Sequence, residues 1–344
     1  NYFYQKTIDI CATYDNIFIE AKTNQNSQYF NHSEGKHMLK NQLFGVEVEM
    51  TGITREKTAT IVAEVLGTTA SRPDSTCYET RIIADHAARK WKVMRDSSIT
   101  SIRNDGSNAP IDEYKVEFVT PPLTYGDIEL LQNIIRKLRE NGAKSHNSCG
   151  IHIHVDGANH NANSLRRLVN FMTSRQDLIY EALEIGNRAD RWCHKLNSAL
   201  LAEMKKDKNL SKEKAEQIWY SSANDGYTGG INHEHYNHTR YHGVNLHSYF
   251  SKGTVEFRLF NSTLHAGKIK AYIQFCLAIS AWAITSQEKI VFRSMAGYTP
   301  EKKVTIMRNI LIHRLGLYGD EFKTCRLHLM TPLKKAAGIA CKAA

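Results

Sequence analysis

Short runs of strict apolar and polar alternation recur along this chain, and each sets ionisable side chains against an apolar face. The clearest are Gly45-Val-Glu-Val-Glu-Met50, Gly150-Ile-His-Ile-His-Val155 and Thr254-Val-Glu-Phe-Arg-Leu259. Residues i and i+2 of a strand share a face. Glu47 therefore projects with Glu49, His152 with His154, and Glu256 with Arg258, while the valines and their neighbours form a core side. Residues 114–119 alternate in the same way and set Glu117 opposite Val116 and Phe118, before Thr120-Pro-Pro122 stops the strand. The pattern predicts strands at 42–50, 76–80, 90–95, 114–119 and 150–155. A hairpin of 243–250 and 254–260, turning at Lys252-Gly253, completes the set. In that register Tyr249 faces Glu256 and His247 faces Arg258, so Asn245, His247, Tyr249, Glu256 and Arg258 share one side.

Helical spacing covers 56–66, closed by Gly67, then 124–140, ending at Asn141-Gly142. Further helical segments span 163–207 and 211–222, and an apolar, buried helix spans 267–287. The first 40 residues carry an element of mixed character near Ile8–Ile19, then a polar stretch, Thr23–Lys36, that reads as a linker. Residues 224–242 are rich in Gly, His and Tyr, and Asn224-Asp-Gly-Tyr-Thr-Gly-Gly230 within them has the composition of a flexible lid. Their histidines 233, 235, 238 and 242 also offer a separate metal set, although an irregular loop touching substrate or solvent suits them better.

Composition narrows the class. With 344 residues, 42% of them hydrophobic and 23% charged, the chain suits one large globular domain with appendages. Seven scattered cysteines (11, 77, 149, 193, 276, 325, 341) without a C-x-x-C pair point to a reducing compartment. No secretory apolar segment opens the chain, and the run near Phe275–Ile284 is too short to span a bilayer. These features predict a soluble cytoplasmic protein without membrane partners, and the initial Asn suggests a piece of a longer or processed chain. The net charge of +10 raises the question of nucleic acid, but from residue 294 onward nine Lys or Arg stand against three acids. The basicity thus lies in a tail, which reads as a solvated basic helix pair.

The chemistry sits upstream of that tail. No G-x-x-x-x-G-K-[ST], G-x-G-x-x-G or G-x-S-x-G motif is present, and His233-Glu-His-Tyr-Asn237 misses H-E-x-x-H at its last residue. Carboxylates a few ångströms apart repel by roughly 4 kcal/mol per close pair at an effective dielectric near 20, so a face built this way suits bound cations. Glu-dominated donors with imidazole favour Mg2+ or Mn2+. Zinc would need Cys149 to join His152 and His154, yet on a strand Cys149 points away from His152. Arg258, two positions from a metal-type carboxylate, implies an anion between the two, and a metal-bound phosphate chain fits.

Six motifs in order now resemble a known family. They are Gly45-Val-Glu-Val-Glu49, Asp96-Ser-Ser98 after Trp91, Val116-Glu-Phe-Val-Thr-Pro-Pro122, Cys149-Gly-Ile-His-Ile-His-Val155, Arg240 with Val244-Asn-Leu246, and Val255-Glu-Phe-Arg258. Over about residues 41–290 the chain resembles the amidoligases of the glutamine synthetase and glutamate–cysteine ligase superfamily of carboxylate–amine ligases. That resemblance implies an α+β fold, with an antiparallel sheet curved into a funnel of the glutamine synthetase catalytic-domain type and helices packed on its outer face. Residues 1–40 would then be an N-terminal extension, 41–290 the catalytic domain and 291–344 a basic helical extension. It further implies ATP and Mg2+ (or Mn2+) as cofactors, and an amino-acid or peptide carboxylate and an amine as substrates. By position, Glu47, Glu49, Glu117, His152 and Glu256 resemble metal ligands. His154, Asn245 and Arg258 fall at nucleotide-facing positions, Arg258 and Arg240 match the arginines that meet the transferred phosphoryl group, and Asp96 shapes the acceptor pocket. The implied activity is ATP-dependent amide formation through an acyl phosphate. Three alternatives stand beside it: a metal-dependent hydrolase on the same face, a basic-tailed nucleic-acid-binding protein with a degenerate ligase core, and a phosphotransferase releasing a stable phosphorylated product.

Overall fold

Alternation of apolar and charged residues builds the centre of the molecule. The computed structural model describes residues 32–103, 105–108, 111–287 and 297–341 and is of the α+β class. Its strands are β1 (Phe44–Met50), β2 (Arg81–Ala84), β3 (Lys90–Met94), β4 (Val116–Val119), β5 (Gly150–Asp156), β6 (Val244–Asn245) and β7 (Thr254–Asn261). All neighbours pair antiparallel in one open sheet, in the order β2-β3-β4-β1-β5-β7-β6. The helices are α1 (His32–Asn41), α2 (Arg55–Leu66), α3 (Ile128–Glu140), α4 (Ala162–Ala182), α5 (Ser198–Lys206), α6 (Lys212–Trp219), α7 (His247–Lys252), α8 (Ala266–Thr285), α9 (Pro300–Asn309) and α10 (Lys323–Ala336).

One face of every central strand is sealed. Val46, Val48, Met50, Phe118, Ile151, Ile153 and Phe257 are all fully buried, in one cluster with Leu131 and Ile135 of α3, Leu168 of α4 and Ile273 and Leu277 of α8. Burying a side chain of this size contributes about 1.5–3 kcal/mol, which holds the sheet against its helices. Helix α8 is apolar all round, as its sequence predicts, and α1, α3, α4 and α10 pack on it.

Several expectations change. The Ile8–Ile19 element and part of the Thr23–Lys36 linker lie outside the described residues, but the linker's end is helical, since α1 starts at His32. Residues 76–80 form a turn rather than a strand. The Asp74 carboxylate accepts hydrogen bonds from the Thr76 and Thr80 N–H groups and the Thr76 hydroxyl, which competes with sheet pairing, and β2 begins only at Arg81. The helical stretch 163–207 breaks after Ala182, where Glu184 and Gly186 both have positive φ, and resumes as α5. The hairpin register is also corrected. Val244 pairs with Phe257 and Asn245 with Glu256, while His247 and Tyr249 lie in α7, a turn and a half of helix that Gly253 ends at φ +81°. The basic tail forms the expected helix pair, but it is not solvated all round: Met307, Phe322, Cys325, Leu329 and Leu333 are buried.

A buried polar cluster joins three elements behind the sheet. The His160 ring bridges the hydroxyls of Ser164 on α4 (3.0 Å) and Ser280 on α8 (2.8 Å), and Ser280 in turn donates to the side-chain carbonyl of Gln42, just before β1. Burial, aided by Arg167, pushes the His160 imidazole down from 6.5 to about 4. The folded state therefore resists protonation that the unfolded chain accepts, and stability is lost as pH falls from about 6.5 towards 4. The loss amounts to about 3 kcal/mol. We expect His160→Gln to be less stable than wild type at pH 7 and the gap to narrow by that amount at pH 4 in denaturant titrations. A gap independent of pH would show that folding does not lower the affinity of this imidazole for a proton.

Candidate active site

The opposite face of the same strands is charged because the alternation leaves it no other content. Antiparallel pairing sets Glu49 directly across from Glu117, Glu47 across from His152, and His154 across from Glu256, which Asn245 of the edge strand also faces. A register shift between Ile151 and Ile153 inserts one extra residue of β7 opposite His152, and such bulges re-aim side chains beside functional sites. Arg258 lies in that bulge. The face opens into a cleft of about 740 Å³, lined among others by Glu47, Glu49, Asp96, Glu117, His152, His154, Arg240, Glu256 and Arg258.

Contacts within the cleft are close. His152 Nδ1 lies 2.8 Å from Glu47 Oε2, and its Nε2 is 3.7 Å from Glu49. His154 Nε2 lies 3.0 Å from Glu47 Oε1, and Arg258 Nη1 donates to Glu256 Oε1 at 2.5 Å. Asn245 donates to the other Glu256 oxygen at 2.6 Å, and the Gly150 N–H donates to Glu49 at 2.6 Å.

This network divides the carboxylates into two kinds. Burial would raise Glu256, but Arg258, His154 and His152 hold it down at about 2. Glu47 is half-buried, and although desolvation raises it, His154 and His152 keep it well below the usual carboxylate range. Glu49 is pushed up by burial and by Asp96, although His152 and Arg188 oppose this. Glu117 is driven well above its ordinary value by burial and by repulsion from Glu47, Glu49 and Asp96, with Arg258 a weak counterweight. The Glu49–Glu117 pair is thus the least compensated part of the face, and without a cation it favours holding a proton.

The donor chemistry fits a hard cation there. Glu49, Glu117 and His152 each bring a donor atom within 4.8 Å of the others, and Glu47, His152 and Glu256 form a second such group sharing the same histidine. Carboxylate-rich sets with one imidazole suit Mg2+ or Mn2+. The zinc alternative fails on position: Cys149 is fully buried outside both groups, and burial pushes its thiol up to about 12.

The remaining candidates also reach the cleft. Asp96 is half-buried in its wall. Arg240 is held by the His235 carbonyl (2.6 Å) and by the Tyr236 and Tyr241 rings, and Tyr241 also flanks Arg258. The 224–242 loop supplies these groups, and His235 lines the cleft, but two of its histidines are spent separately: His242 on Asp225 and His233 on Glu216. Among the described residues they form no metal set. His247 does not share the strand face; it binds the Tyr220 hydroxyl at 2.6 Å and lines a smaller neighbouring cavity. Sequence reasoning missed Arg188, Trp192, Tyr78 and Lys92 in the cleft wall. For Arg188 and Trp192 the available signal was Gly186, which breaks the apparent helix just before them.

No curated protein matches this chain. Among solved structures it is similar to a bifunctional glutathione synthetase from Pasteurella multocida, at 12% sequence identity and a TM-score of 0.41. The likeness covers 90% of this chain and 50% of that one, so the chain spans about half the length of that protein. Residues 40–280 match the family described as "Putative amidoligase enzyme", a span that holds all seven strands and each of the site residues named above. The chain belongs to this amidoligase family.

Proposed function

We propose that this protein is an ATP-dependent carboxylate–amine ligase of the glutamine synthetase type, with residues 41–290 as its catalytic region. The observation that carries this reading is the cleft itself: four glutamates and two histidines on one sheet face, in a cleft also lined by Arg258 and Arg240. Glu47, Glu49, Glu117, His152 and Glu256 would hold Mg2+ or Mn2+. Such ions would supply charge neutralisation for the triphosphate.

In this reading a substrate carboxylate oxygen attacks the γ-phosphorus, the bond to the bridging oxygen of ADP breaks, and an acyl phosphate forms. An amine then attacks the acyl carbon, phosphate leaves, and the amine gives up a proton. Arg258 and Arg240 balance charge on the moving phosphoryl group, with Glu256 and the Tyr241 ring fixing the Arg258 guanidinium. Asn245 and His154 orient the nucleotide end. Asp96 lies in the wall where it can receive the amine proton. The acyl phosphate must be kept from water. The Tyr236 hydroxyl of the 224–242 loop meets the Tyr78 hydroxyl at 3.0 Å, and both residues line the cleft, which suits that loop to act as a lid.

The reading is tested by ATP-dependent hydroxamate formation with hydroxylamine, across amino acids and peptides bearing carboxylates. Glu256→Ala and Arg258→Ala should each lower the rate by about 10²–10³-fold. Absence of hydroxamate and of ADP release over a broad panel with Mg2+ would sink the ligase reading, and turnover without nucleotide would favour a hydrolase. A second expectation concerns stability. Glu117→Gln removes repulsion that folding leaves unbalanced, so without divalent cation it should melt higher than wild type, by about 3 °C or more. Mg2+ should stabilise wild type more than the variant, and an unchanged melting temperature with an unchanged Mg2+ response would remove Glu117 from the cation site.

A further inference from the structure

Two side chains in the turn before β5, Ser148 and His146, form a hydrogen-bonded pair that the chemistry above does not use. The Ser148 hydroxyl lies 2.8 Å from His146 Nδ1. The direction of that bond follows from its neighbours. Nδ1 also accepts the Ser148 N–H at 3.2 Å, so it is the unprotonated nitrogen of the neutral ring, and Nε2 carries the hydrogen. The Ser148 oxygen accepts the Thr100 N–H at 2.9 Å, which leaves its own hydrogen to point at Nδ1. A hydroxyl polarised from both sides can pass its proton to the ring and take another in its place. The turn does not depend on this pair, because the Cys149 N–H closes it on the His146 carbonyl at 2.9 Å.

Tertiary pairing sets the turn against the cleft. Thr51 and Lys144 exchange both backbone hydrogen bonds, and the Thr51 hydroxyl bonds the N–H and the carbonyl of Ile102. These bonds tie the turn and the segment of Thr100 to the end of β1. Ser148 lines the cleft with Glu49, Asp96, Ser97 and Ser98, and two residues further on the Gly150 N–H donates to Glu49 at 2.6 Å. His146 is half-buried and is not among the lining residues, and among the described residues nothing bonds its Nε2. The pair therefore begins in the cleft and ends outside its lining.

Amide formation needs such a route. An amine that arrives as its ammonium form must lose one proton to free its lone pair and a second once the carbon–nitrogen bond forms. The departing phosphate can take one of them, with Asp96 as carrier. The other has no acceptor among the products and must leave a cleft that excludes water. We propose that Ser148 and His146 carry this ammonium proton out. The nitrogen gives a proton to Ser148 Oγ, the serine's own proton passes to His146 Nδ1, and the imidazolium so formed releases a proton to water. The freed lone pair attacks the acyl carbon, the bond to phosphate breaks, and the second proton reaches phosphate through Asp96. The role rests on the ligase reading; the hydrogen-bonded pair can be read without nucleotide.

Two kinds of nucleophile separate the relay from the rest of catalysis. Hydroxylamine is mostly unprotonated near neutral pH, whereas ammonium, methylamine and the side chain of Nα-acetyl-lysine are protonated. The full chain is assayed with ATP, Mg2+ and an acid productive in the hydroxamate assay, with each nucleophile in turn. His146→Asn keeps a polar acceptor but cannot take the proton, and Ser148→Ala removes the link. Each should lower amide formation from the protonated amines by about 10²-fold, and hydroxamate formation by no more than about threefold. Ser148→Thr, which keeps a hydroxyl, should lose less than Ser148→Ala, and added imidazole should restore part of the amide rate to His146→Ala. In 15N spectra of the histidine-labelled chain, Nδ1 of the neutral His146 ring should be unprotonated and should shift in Ser148→Ala. Equal losses with both kinds of nucleophile in variants that melt as wild type does, no loss with either, no imidazole rescue, or a protonated Nδ1 would each overturn the relay. So would a wild-type enzyme that makes hydroxamate but no amide from any protonated amine. No wild-type hydroxamate with any acid would instead remove the ligase reading, and the role of the relay with it.

Discussion

Repulsion among carboxylates that cannot move apart governs this molecule. Glu49 and Glu117 face each other across β1 and β4, and Glu47 and Glu256 approach the same histidine from neighbouring strands. In water such groups would separate, but backbone pairing fixes their spacing and the buried apolar face beneath fixes the strands. The energy that sets the charges side by side therefore comes from Val46, Val48, Phe118, Ile151 and the helices behind them. Core packing and site electrostatics are two faces of one arrangement.

The fold relieves that repulsion unevenly. His152 and His154 draw Glu47 down, and Arg258 with Asn245 satisfies Glu256. Glu117 receives no comparable partner and rises instead. A face in which every carboxylate was neutralised by the protein would have nothing to offer a cation. Here the negative potential is kept at the Glu49–Glu117 pair, and Arg258, Arg240 and Arg188 line the same cleft. A ligand spanning the cleft would meet both cation-seeking and anion-seeking groups.

Much of this was legible in the alternation. A period of two with apolar and ionisable residues in opposition specifies both the sheet and which residues share its polar face, and Glu47, Glu49, Glu117, His152, His154 and Glu256 indeed converge in one cleft. Less legible were features in which a side chain competes with regular structure. Asp74 captures the N–H groups of a segment with strand composition, and the His247–Lys252 segment winds into a helix where alternation suggests a strand. The bulge at Arg258 leaves no signature in composition, because it arises from fitting β7 to β5 and β6 together.

The sequence by itself determined the strands that carry the site, the sign of charge on their exposed face and the family to which the chain belongs, because all three depend on residue order along short segments. Only the tertiary structure decided which charges remain unbalanced. That depends on distances between segments far apart in the chain: Glu49 to Glu117, Arg258 to Glu256, and Arg188 to the bare backbone of Gly150. Arg188 shows the division most plainly. As a letter it is one arginine within an apparent helix; folding sets its guanidinium against a glycine 38 residues earlier and leaves its Nε–H buried without a partner.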